Sequence, residues 1–113
     1  MRRDRWPVIL EAGFRENVAK GWGVNIFCAA VHRSKNNLWS GSWQIACVSP
    51  DGDERRLLVI HRNIEPREFL TANGLISFLV DIGFGTVAFP VQVGASVNLG
   101  PEHRVSKDDP VVS

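Results

Sequence analysis

Long apolar runs are missing from this chain, and no stretch comes near the ~18 residues that a membrane span takes. Cysteine is scarce: Cys28 and Cys47 are the only two, too few for a disulfide scaffold and suited to a reducing compartment. No Asn-x-Ser/Thr acceptor for glycosylation occurs. The start Met1-Arg2-Arg3-Asp4-Arg5 is basic, but the apolar run behind it covers only Trp6 to Leu10. That is shorter than a secretory leader needs, so none is expected. These absences together predict a cytoplasmic protein with no membrane partner.

An excess of one charge is also lacking. The net charge is +1, with mean hydropathy near zero. Residues 1–67 hold 11 basic and 7 acidic side chains, an excess of +4, and the remainder holds 2 and 5, or −3. Ten of the 13 basic residues are arginine, whose planar fork suits phosphates, carboxylates and aromatic faces. An excess of this size permits nucleic-acid binding without requiring it. There is no internal repeat. At 113 residues the chain predicts one domain over 1–99 followed by a mobile tail over 100–113, a stretch with no apolar period.

What is present is a run of strand signals from Trp22 to Asn63. Trp22–Arg33 and Leu38–Val48 alternate apolar and polar residues around Ser34-Lys35-Asn36-Asn37, and Arg55–Arg62 follows Pro50-Asp51-Gly52-Asp53. An Asp-Gly pair between such runs signals a two-residue hairpin turn. In that register Cys47 faces Arg56, Ile45 faces Leu58 and Trp43 faces Ile60. The first hairpin sets Val24 against Cys47, Ile26 against Ile45, Cys28 against Trp43 and His32 against Trp39. Val24, Ile26, Cys28, Trp39, Trp43, Ile45, Cys47, Leu58 and Ile60 then share a core face.

Helical signals flank the strands. In Trp6–Lys20 the apolar period of four and the Glu11/Arg15 and Glu16/Lys20 pairs favour a helix closed by Gly21, with a strand over Pro7–Leu10 as the alternative. Pro66–Ile82 carries a stripe of Phe69, Ala72, Leu75, Ile76, Leu79 and Ile82, ends at Gly83, and has Thr71 as a second candidate start. Thr86–Val93 predicts a strand that Pro90 confines to an edge or breaks. The fold class is therefore α+β. It is a three-stranded antiparallel meander over about 22–62, flanked by an N-terminal helix and a helix at about 66–82 packed on one sheet face, with a short fourth strand at about 86–93.

The second sheet face mixes Asn25, Phe27, Ala29, Val31, Arg33, Leu38, Ser40, Ser42, Gln44, Val59, His61 and Asn63. A helix layer would leave its polar groups unpaired, at ~1–3 kcal/mol each, whereas full exposure would leave Phe27, Val31, Leu57 and Val59 wet. Such a face suits binding or self-association; its plain alternative is an ordinary solvent face. Phe27, Val31, Gln44, Val59 and His61 are the candidate interaction residues.

Other constellations carry less. Ser42 opposite His61 is the beginning of a hydrolase dyad, but no carboxylate orients the histidine and no G-x-S-x-G elbow occurs. A polar cross-strand pair explains it as well. Cys28, His32, Cys47 and His61 cannot converge on a metal, since four residues of extended strand span ~13 Å. The same offset forbids a Cys28–Cys47 disulfide. Gly83-Phe84-Gly85-Thr86 lacks the remainder of a phosphate loop. Trp22 and the arginines Arg2, Arg3, Arg5, Arg33 and Arg62 could stack bases and pair phosphates, or simply close the end of a core.

The sequence thus predicts a non-catalytic interaction or regulatory module that binds itself or another protein through the mixed face. Nucleic-acid binding is the alternative and a small hydrolase a distant third. No cofactor or metal is expected.

Overall fold

The computed structural model describes residues 6–105. Its elements are β1 (Val8–Ile9), α1 (Glu11–Ala19), β2 (Gly23–Arg33), β3 (Trp39–Val48), β4 (Arg55–Leu58), β5 (Phe69–Thr71), α2 (Ala72–Asp81) and β6 (Ser96–Leu99), with a 3-10 turn at Pro101–His103. The fold is α+β, as the sequence pattern predicts: two helices and one open, mixed sheet. Strand order is β1-β4-β3-β2-β6, and β5 pairs with β3 next to β4. β1 runs parallel to β4 and every other pairing is antiparallel. Neither helix is long and apolar enough to cross a membrane.

Both readings of the N-terminal segment hold, one after the other. Pro7 O accepts from Leu57 N–H and Ile9 O from Val59 N–H, so the chain first joins the sheet and then turns into α1. The Glu11–Arg15 and Glu16–Lys20 pairs form at 2.9 and 3.0 Å, and Gly21 closes the helix at φ +105°.

The central hairpin keeps the expected register from Val24↔Cys47 to Cys28↔Trp43, and then slips. An extra residue, Ala29, bulges out, so Ala30 faces Ser42, Val31 faces Gly41 and His32 faces Ser40 rather than Trp39. A bulge inserts one residue and inverts the alternation beyond it. Val31 therefore leaves the mixed face and packs on the core. Gly41 is what admits the bulge, because a Cβ there would sit 2.1 Å from Ala30 O.

The second hairpin keeps the Cys47↔Arg56 pairing but not the two-residue type I′ turn. Only Gly52 has positive φ, and its N–H donates to Ser49 O across Pro50 and Asp51. Ser49 Oγ donates to Asp51 at 2.6 Å and accepts from Glu54 N–H, which fixes this wider turn. β4 then ends at Leu58, short of the expected Arg62. Ile60 N–H closes onto Glu65 O and Val59 bridges to Pro66, so 61–63 are turn residues. Phe69, rather than Ile60, takes the place opposite Trp43.

Residues 69–71, expected inside the second helix, are strand β5. Thr71 is the N-cap, its Oγ1 accepting from Gly74 N–H at 3.0 Å. The expected strand at 86–93 is absent. Pro90 O accepts from Trp43 Nε1 (2.8 Å) and Phe89 meets the Trp43 ring edge-on at 5.9 Å, so this segment covers the core as irregular chain. The edge strand is β6 instead.

Phe14 and Val18 of α1 join Leu75, Phe78 and Leu79 of α2 on the face made by Val24, Ile26, Cys28, Trp43, Ile45, Cys47 and Leu58. Trp39, expected there, is half-exposed beneath the Arg33 guanidinium. The expected loose tail does not begin at Gly100. Arg104 donates to Val18 O and Ile82 O, both at 3.0 Å, and so ties the C-terminal ends of α1 and α2 together. Residues 106–113 lie outside the described residues.

Candidate functional site: the second sheet face

Both helices occupy one side of the sheet, and among the described residues no helix lies over the other. Strand alternation gives that second face two rows. The first runs Asn98, Asn25, Ala46, Leu57 and Val8, and the second runs Ser96, Phe27 and Gln44. Asn25 Nδ2 donates to Asn98 Oδ1 at 2.9 Å, which aligns two polar side chains across β2 and β6. Phe27 and Gln44 lie directly opposite each other and are half-buried.

One end of the face is capped. Trp6 is buried and packs with Ala46 and Leu57 in a second small cluster. The Arg55 guanidinium lies 5.3 Å from the Trp6 ring centroid. Around them opens a cleft of about 510 Å³ lined by Trp6, Pro7 and residues 52–56. Asp53, Glu54, Arg55 and Arg56 are among its lining residues, and the Arg56 guanidinium lies over Trp22. Glu54 reaches Arg56 at 3.8 Å. The sequence pattern placed neither Trp6 nor Ala46 on this face. For Ala46 the available signal was its parity with Gln44 on the same strand.

The five candidate interaction residues do not form one patch. Phe27 and Gln44 lie side by side, Val31 packs against the core, and Val59 is only 3% exposed. His61 stands in the exposed turn after β4. The Ser42–His61 pair is absent: Ser42 is opposite Ala30, and its Oγ is buried without a hydrogen-bond partner. The reason is the early end of β4, which removes His61 from the sheet.

Arg2, Arg3 and Arg5 lie outside the described residues. The others proposed to contact nucleic acid are scattered. Trp22 packs on the core with Arg56 5.7 Å from its ring centroid, Arg33 stacks on Trp39 at the far end of the hairpin, and Arg62 is in the turn with His61. The described residues carry 9 basic and 9 acidic side chains, so they present no net positive field.

Cys28 and Cys47 are free and buried, and burial pushes both thiols up. Neither is poised as a thiolate nucleophile. Among the described residues no three His, Cys, Asp or Glu side chains converge as a metal site.

Comparison with known proteins gives no match: no family model fits the chain, and no curated protein or solved structure resembles it.

Proposed function

We propose that this chain is a non-catalytic interaction module that binds another protein or a second copy of itself through the second sheet face. The supporting observation is the one-sided packing: both helices sit on the opposite side, while this face presents Val8 and Phe27 beside Gln44, Ser96 and Asn98, with Ala46 and Leu57 already covered by Trp6. Apolar side chains among neutral amides are the composition of a recognition surface, in which the apolar part supplies burial and the amides fix orientation. Arg55, exposed beside the Trp6 ring, extends it at one end, and arginine is among the residues most often found at binding hot spots.

The test is site-specific photo-crosslinking from Val8, which is 47% exposed on this face, against Glu16 on the exposed side of α1 as control. An adduct of two copies, or of one copy with another protein, is expected from position 8 and not from position 16. Equal yields from both positions, or none from position 8, would sink the reading.

A further inference from the structure

From Ile82 to Pro101 the chain runs 20 residues without a charged side chain, although charged residues make up 22% of the whole. This run supplies β6, the outermost strand on its side of the sheet among the described residues. Val91 and Val93, just ahead of it, are 49% and 63% exposed. Cys28 N–H donates to Ala95 O at 3.0 Å. By strand alternation Val24 and Ile26 also turn their backbone groups toward β6, where Leu99 and Val97 receive them. Ser96 and Asn98, both exposed, therefore point N–H and C=O away from the sheet. Natural edges are ordinarily guarded by lysine, proline or an inward charge, and this one carries none of these.

We infer that β6 is a pairing edge for a second copy of this chain, joined antiparallel about a two-fold axis at Val97. The occupant follows from charge. Across such an axis like residues sit close to one another, so a charged edge repels itself and a neutral edge does not. In that register Ser96 of each copy exchanges backbone hydrogen bonds with Asn98 of the other, Val97 meets Val97, and the second sheet face becomes continuous across the pair. The other free backbone edges suit this less. β1 and β5 are two and three residues long, and the part of β2 beyond β6 ends in Arg33, where copies would oppose guanidinium groups. A strand of four residues makes a small interface, so the pair belongs to the weak, concentration-dependent class. This inference rests on the interaction-module reading and adds an edge contact to it: the pairing joins two copies at β6 and leaves the face, with Val8 at the opposite edge, open to a partner.

The experiment is light scattering over a concentration series, with amide hydrogen exchange read at Ser96 and Asn98. Dimerisation is expected, with both amides becoming protected as concentration rises. Ser96→Pro removes an outward N–H from each copy and should weaken the dimer by about tenfold or more. The variant Ser96→Lys keeps every backbone group, sets two like charges at diagonal positions across the axis, and should do the same while the far-UV spectrum stays unchanged. A monomer at every concentration overturns the inference. A dimer that ignores both variants, with Ser96 and Asn98 exchanging freely, overturns it too. In either case the Val8 cross-link still decides the face reading separately.

Discussion

Gly41 shows how one residue can set a register. Its missing side chain lets Ala30 O approach to where a Cβ would stand 2.1 Å away. Gly41→Ala must push β2 and β3 apart or abolish the bulge, and a loss of about 1–3 kcal/mol in urea unfolding is expected. An unchanged midpoint would show that the bulge relaxes without cost. Glu11 makes a statement about pH. Hydrogen bonding from Arg15, joined by Arg67, holds its carboxyl below the usual carboxylate value. A depressed folded pKa contributes stability that is present above the unfolded pKa and is lost as pH falls through the folded one. Glu11→Gln should therefore lower the thermal midpoint near neutrality and converge with the parent in acid, which flattens part of the acid-side fall. Parallel acid limbs for the two proteins would remove Glu11 from that account. The Glu11–Arg15 pair was legible at spacing i,i+4. Arg67 was not, because it arrives from 56 positions away.

At the level of elements, local chemistry and long-range packing compete, and α2 shows both. The apolar stripe predicts a helix from Pro66, yet Phe69–Thr71 pairs with β3 and helix begins only after the Thr71 cap. Thr71→Ala should cost about 1 kcal/mol, read as a lowered urea midpoint at unchanged slope; no shift would mean solvent serves Gly74 N–H as well. Arg104 joins the ends of two elements. Its guanidinium sets a positive charge at the C-terminal carbonyls of α1 and α2, where the helix dipoles favour one. Arg104→Met keeps the apolar stem and loses both caps, so about 1–3 kcal/mol of destabilisation is expected. If Arg104→Met is as stable as the parent, the bridge is incidental. No periodicity announces such a bridge, since Arg104 lies in a stretch that reads as tail.

Over the whole molecule, one cluster joins both helices to β2, β3 and β4, with Phe69 of β5 and Leu99 of β6. A single cooperative unit follows, and tryptophan fluorescence and far-UV dichroism should give coincident urea transitions. Separated midpoints would divide the chain into two units. The sequence by itself determined the α+β class, the two long strands, their register from Val24 to Cys28, and the sidedness of the core. All of these rest on local alternation and turn residues, which act within a few positions. Tertiary structure alone decided the bulge at Ala29, the end of β4 at Leu58 and the substitution of Phe69 for Ile60 opposite Trp43. It also decided that β6 rather than 86–93 forms the edge. Each of these turns on which distant segment wins a place beside β2 or β3. Trp43 illustrates the competition, because its indole N–H requires an acceptor once buried and finds it in Pro90 O. That bond draws 86–93 over the core, leaving the uncharged Ser96–Leu99 to form the edge of the sheet.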